Sequence, residues 1–325
     1  MTPLERALRE RIAGEGPISV EAFMEACNAY YYATRDPLGA AGDFTTAPEV
    51  SQMFGELVGG CLADCWKRSG RPADAIYAEL GPGRGTLAAD ALRVLRSGGF
   101  RGEVHFVETS PVLREVQGTA VDGAQWHDSV EDLPAKPLLL VANEFLDALP
   151  LRQFVGEVER RILIAAGGLA FDRDGEIVED SPARTEAITR VAWRLVESGG
   201  AALFIDYGHS ASAPGDTLQA VRRHRFAPVL EKPGEQDLTA HVDFEQVARA
   251  ARDAGAAVRP VVSQGEWLIR LGIEVRAQAL SRANSERAHD IEAALHRLTS
   301  SDAMGTLFKV IGIHSPEWPA PAAFE

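Results

Sequence analysis

Residues 75–86 read Ala-Ile-Tyr-Ala-Glu-Leu-Gly-Pro-Gly-Arg-Gly-Thr, an apolar run that ends in three glycines spaced two apart. Such a stretch folds as a buried strand, a tight turn and the first turn of a helix. At Gly81, Gly83 and Gly85 the missing side chains let a ligand approach the backbone. The N–H groups of the following helix then point at whatever sits in the turn. Glu79 narrows the choice of ligand, because a carboxylate at the strand's mouth repels a pyrophosphate and attracts an ammonium or a ribose hydroxyl. Thr86 also stands where the dinucleotide fingerprint has its third glycine. The turn therefore favours S-adenosylmethionine over NAD.

The rest of the chain alternates strand and helix around this unit. Strands are expected at 75–80, 103–108, 137–144 and 201–206, the 137–144 run being apolar enough for a central, doubly covered position. The fold class is α/β, a Rossmann-like, mainly parallel, doubly wound sheet that binds ligands at the strands' carboxyl ends. Before the sheet, helices are expected at 3–13 and 19–28, then an ordered aromatic loop over 30–46. Thr46-Ala-Pro-Glu49 reads as a capping box opening one long amphipathic helix to Trp66. Residues 1–70 thus form an N-terminal helical cap on a core spanning 71–325. Two inserts interrupt the core, a β-hairpin at about 151–182 and an irregular excursion at about 208–242. Late elements are expected as helices at 266–272 and 286–298 and strands near 258–262 and 308–314.

Several acids fall at strand ends. Glu108 closes the second strand, where an acid bonds ribose hydroxyls in nucleoside-cofactor sites. Trp126 and Asp128 fall at the end of a third strand expected over 123–127, between those at 103–108 and 137–144, placed to flank an adenine. Asn143, Glu144 and Asp147 follow the fourth strand, which in this topology lies beside the first, so they reach the cofactor's reactive end. Carboxylates beside an apolar strand are costly unless paired or used. Asp206 closes the fifth strand in the same mouth, as a functional acid or a turn cap.

Among the eight histidines no pair has helix-face metal spacing, and no metal is expected. Cys61 and Cys65 lie on the apolar stripe of a helix and read as core residues. The net charge of −14 argues against a general nucleic-acid binder and suits a cationic acceptor, and Arg222-Arg-His-Arg225 is too short to make a nucleic-acid surface. No run reaches the ~18 apolar residues of a membrane span. The N-terminal residues resemble neither a signal nor a transit segment, and the three cysteines form no CxxC pair, so a cytoplasmic location is expected.

Taken together, these residues resemble the MidA family of S-adenosylmethionine-dependent methyltransferases, whose mitochondrial members act as arginine methyltransferases in assembly of respiratory complex I. The similarity also runs through Gly42-Asp-Phe44, Asp206-Tyr-Gly208, Asp237-Leu-Thr-Ala-His-Val-Asp-Phe244 and Met304-Gly-Thr-Leu-Phe-Lys309. It implies a class I methyltransferase fold with S-adenosylmethionine at Glu79, Gly81, Gly83, Glu108 and Asp128, and a protein arginine as acceptor. Because a guanidinium is protonated at ordinary pH, a carboxylate must hold it and help a proton leave. Glu144 is the first candidate, with Asp147 or Asp206 as its partner. A small-molecule methyltransferase, or an assembly factor that keeps the cofactor pocket without turnover, are the alternatives.

Overall fold

The computed structural model describes residues 1–34, 43 and 45–324. Among the described residues the main sheet has nine strands, of which seven lie on one path: β1 (Ile76–Leu80), β2 (Val104–Val107), β3 (Ala124–His127), β4 (Leu138–Asn143), β5 (Gly200–His209), β6 (Ala257–Val258) and β7 (Phe308–His314). The two-residue strands Val242–Asp243 and Val262–Ser263 pair off that path with β5 and β7. The order along the path is β3-β2-β1-β4-β5-β7-β6. Strands β1 to β5 run parallel, whereas β7 is antiparallel to β5 from Ala201↔His314 to Tyr207↔Phe308. The chain order reverses between β1 and β4. At such a switch point the connections leave in opposite directions, and a crevice opens beyond the strands' carboxyl ends.

Burial on both faces explains the composition of these strands. Ile76, Ala78 and Leu80 of β1 join Leu138 and Leu140 of β4 in one apolar cluster, while Tyr77 joins Leu139 and Val141 in the other. Every residue of β1 and β4 is buried. Helices α1 (Pro3–Glu15) and α2 (Val20–Thr34) pack elsewhere. Leu8, Ile12, Phe23 and Met24 form a third cluster with Leu151, Ile162, Leu218 and Leu238 of the inserts. Helix α3 (Gln52–Arg68), although inside the expected 1–70 cap, packs on α4 (Thr86–Ser97) of the core. The remaining long helices are α5 (Pro111–Ala120), α6 (Pro182–Ser198), α7 (Phe244–Asp253), α8 (Gln264–Arg270), α9 (Ile273–Ala283) and α10 (Ala288–Thr299).

Several local expectations change. Helix α2 continues to Thr34, so Tyr30, Tyr31 and Tyr32 belong to its last turns; most of the expected loop lies outside the described residues. The long helix over 46–66 is broken at Ser51, whose extended backbone and side-chain bond to the Met53 N–H restart it. No capping box forms at Thr46, because Glu49 reaches across to the Thr86 hydroxyl instead. The 151–182 insert is richer than one hairpin: Arg152–Val155 pairs with Val158–Glu159 and Ile177–Asp180, and Arg161–Ala165 pairs with Gly168–Phe171 and with Ile18–Ser19. The 208–242 excursion holds a three-stranded sheet of Gln219–Arg222, Arg225–Ala227 and Asp237–Thr239. Helix α9 was not legible, since only Ile273 and Ala277 are buried.

The α3–α4 contact is close enough to test. A Cβ on Gly59 would lie 2.5 Å from the Ala91 carbonyl oxygen, whereas nothing lies within 4 Å of one on Gly60. Gly59→Leu should cost at least about 2 kcal/mol in chemical denaturation. Gly60→Ala should be neutral or stabilise by up to about 1 kcal/mol.

Candidate active site

A cavity of about 420 Å³ lies beyond the carboxyl ends of β1, β2 and β4, roofed by α2 and by residues 46–49. The glycine turn forms one wall. Gly81, Gly83 and Gly85 have φ of 58°, 54° and 80°, the left-handed region that side chains disfavour. A Cβ on Gly81 would also meet the Phe145 ring at 3.0 Å. Glu79 lies beneath this turn and accepts the Tyr77 hydroxyl at 2.7 Å. Burial pushes its carboxyl up to about 8.

Glu108 forms the next part of the wall. Its Oε1 accepts the Ser110 N–H at 2.7 Å and its Oε2 accepts from Gln117 Nε2 at 3.2 Å, yet burial still raises its pKa. Gln117 is fully buried and ties three parts together. It also donates to the Gly83 carbonyl at 2.8 Å and accepts the Trp126 indole N–H at 2.8 Å. The glycine turn, Glu108 and β3 are thereby fixed to one another.

Across the crevice, β4 ends in Asn143 and Glu144. Glu144 has φ 51°, a strained conformation for a non-glycine residue, and its N–H is held by the Ile205 carbonyl at 2.9 Å. Its carboxylate accepts the Ala47 N–H and Asn143 Nδ2, each at 3.2 Å. Burial, then the charge of Asp147, pushes it up to about 8. Behind the wall, Asp147 Oδ2 accepts the Tyr207 hydroxyl at 2.6 Å. Asp237, from the second insert, accepts the Tyr32 hydroxyl at 2.8 Å and is pushed by burial up to about 7. Arg184 faces Asp147 and Asp206 from behind the wall, and its guanidinium is committed to the carbonyls of Leu146, His241 and Ala240 at 2.7, 2.7 and 2.9 Å.

Of the residues singled out from the sequence, Glu79, Gly81, Gly83, Glu108, Asn143 and Glu144 line the cavity. Gly85, Asp128, Asp147 and Asp206 are not among its lining residues. Gly85 is the N-cap of α4, and Asp128 lies in solvent, bound to Arg114 at 2.6 Å. Asp206 serves the backbone instead, accepting the N–H groups of Leu146, Asp147 and Tyr207 at 2.9, 3.2 and 2.9 Å. It caps the corner that presents Glu144. The sequence does not mark Tyr32, Asp237 or Gln117 as site residues: Asp237 opens a segment that carries the family resemblance, but nothing local shows that it meets Tyr32 of α2, and Gln117 lies on a helix with no site-like pattern.

A nucleoside cation fits this wall. Two acids stand at the ends of adjacent strands over a glycine turn, and Asn143 Oδ1 is buried without a hydrogen-bond partner beside them. Fold and cavity together define a class I S-adenosylmethionine-dependent methyltransferase. The comparisons agree. An S-adenosyl-L-methionine-dependent methyltransferase family model matches residues 57–167 and 159–262. The mitochondrial protein arginine methyltransferase NDUFAF7 of Danio rerio is 33% identical over 94% of this chain and 85% of its own length. Its Drosophila melanogaster homologue is 34% identical over 95% and 84%. A Burkholderia thailandensis protein crystallised with S-adenosyl-homocysteine superposes with a TM-score of 0.87 and 28% identity, over 99% of this chain and 94% of that one. The chain belongs to this methyltransferase family, and its cofactor is S-adenosylmethionine. The expected cytoplasmic location gives way here, because these curated relatives are named as mitochondrial.

The raised acids carry a stability consequence. Glu79 binds its proton more tightly folded than unfolded, so its contribution is fully present at pH values below its unfolded pKa and is lost as pH rises towards about 8. Glu79→Gln removes that loss. Its melting temperature should gain on the wild type progressively between pH 5 and 8.5 in thermal denaturation without ligand, while its affinity for S-adenosylmethionine falls.

Proposed function

We propose that this chain is a protein arginine N-methyltransferase. The relatives' names support that acceptor. The observation that carries it is Glu144, an acid on the cavity wall with its charge opposed by burial and backed by Asp147 rather than by a cation. Such a site gains most from an acceptor that is itself positive.

In this reading Glu108 takes ribose hydroxyls, and Glu79 with the orphaned Asn143 oxygen takes the ammonium of the amino-acid end. Bound S-adenosylmethionine supplies a methyl already activated on its sulfonium, so the residues around it chiefly align and desolvate. Glu144 holds the guanidinium and draws its charge away from the attacking nitrogen. As the nitrogen–carbon bond forms and the sulfur–carbon bond breaks, the nitrogen sheds one proton to Glu144. Asp147 and Asp206 act behind it, Asp147 by its charge and Asp206 by fixing the corner. The acceptor is read as a protein of respiratory-complex assembly, the setting implied by the resemblance.

Glu144→Gln should leave S-adenosyl-homocysteine affinity within about twofold in calorimetry and lower the transfer rate by about 10²- to 10⁴-fold. The ionised carboxylate is the active form, and it is held up to about 8. The acceptor kcat/KM at saturating cofactor should therefore climb with pH, with a midpoint below that value because the cofactor's positive charge favours the carboxylate, and this limb should vanish in Glu144→Gln. Full activity in the variant removes Glu144 from the chemistry.

A further inference from the structure

Tyr32 connects the two halves of the cavity and has no part in the reading above. Its carbonyl accepts the Ser110 hydroxyl at 2.7 Å, beside Glu108. Its ring lines the cavity, and its own hydroxyl donates to Asp237 Oδ1 at 2.8 Å, on the Glu144 side. Asp237 is 4% exposed and is not a lining residue. Its strand is anchored by Asn28 of α2, whose Nδ2 donates to the Leu238 and Ala148 carbonyls at 2.8 and 2.9 Å. The insert and the β4 corner are thus fastened to the same helix that carries Tyr32.

A phenol that gives its only proton to a carboxylate keeps its lone pairs as acceptors, and the carboxylate makes them stronger. A guanidinium is a rigid plane with five N–H donors, of which one carboxylate satisfies at most two in a bidentate pair. The others need acceptors of their own, because a donor left unpaired in a closed cavity costs about 1–3 kcal/mol. Tyr32 is an acceptor on the roof of this cavity, whose wall includes Glu144, and hydrogen bonds fasten α2, the second insert and the β4 corner together around it.

We propose that Tyr32 and Asp237 form the second arm of the acceptor subsite. Tyr32 Oη accepts from the edge of the guanidinium that Glu144 does not hold, and Asp237 is the positioning residue that fixes the direction of the Tyr32 proton. The subsite takes a planar, multiply donating cation, and an ammonium, with a single donor centre, spans it poorly. This inference rests on the arginine reading given above.

The test uses the full-length protein, labelled S-adenosylmethionine and, as acceptor, a lysate of cells deleted for this protein. Methylated residues are identified by mass spectrometry, and the apparent acceptor KM comes from lysate dilution. Wild type should label arginine. Tyr32→Phe should raise the apparent acceptor KM at least tenfold with S-adenosyl-homocysteine affinity changed less than twofold. Asp237→Asn, which still accepts the Tyr32 proton, should raise the acceptor KM by a smaller factor; it carries the test if Tyr32→Phe loses its thermal transition. An unchanged acceptor KM, or cofactor affinity falling in parallel, overturns the second arm while leaving the arginine reading intact. Wild-type label on lysine, or no label on arginine, overturns the arginine reading and the subsite with it.

Discussion

The structure depends on acids held at the carboxyl ends of an apolar sheet, where burial opposes their charge. Glu79 and Glu144 stand at the ends of neighbouring strands β1 and β4, each pushed up to about 8, and Asp237 joins them from an insert at about 7. Satisfying such groups inside the protein is simple, since one arginine would do it. Arg184, the cation that faces Asp147 and Asp206, is spent on backbone carbonyls. The energetic deficit is therefore left for ligands to settle, and both ligands of the proposed reaction bring positive charge.

The surrounding architecture serves to keep these acids in place without neutralising them. Hydrogen bonds come from neutral donors: the Tyr77 hydroxyl to Glu79, the Ala47 N–H and Asn143 amide to Glu144, and the Tyr32 hydroxyl to Asp237. Such donors orient a carboxylate and favour its charged form, but burial outweighs them here. The left-handed backbone at Glu144 fits the same pattern, a strained residue kept by the sheet bond from its N–H to Ile205.

The sheet and one half of the site were legible in the sequence. Residues 76–80 and 138–143 are apolar throughout because both faces are covered, and that pattern has few other meanings. The glycine turn with Glu79 is local, so its geometry is written in adjacent residues. The other half is assembled from distant segments. Tyr32 and Asp237 are 205 positions apart, and although the segment opening at Asp237 carries the family resemblance, nothing local pairs the two. Asp128, Asp147 and Asp206 show the converse. Strand-end position was a sound guide to the right region, but it could not separate an acid on the wall from one bound to Arg114 in solvent, one held behind the wall by the Tyr207 hydroxyl or one capping the corner. Side-chain direction decides those roles, and it depends on how a strand's end turns.

The central claim is that cation binding, not a partner within the fold, ionises these acids. Proton release on cofactor binding tests it most directly. Calorimetric titration of S-adenosylmethionine at pH 7, in buffers of different ionisation enthalpy, reads the protons exchanged from the slope. With Glu79 largely protonated when free and ionised when bound, about one proton should leave per cofactor. Glu79→Gln should abolish that release. An apparent enthalpy independent of buffer in the wild type would mean that the acid does not change its protonation when the cofactor binds, and would contradict the account.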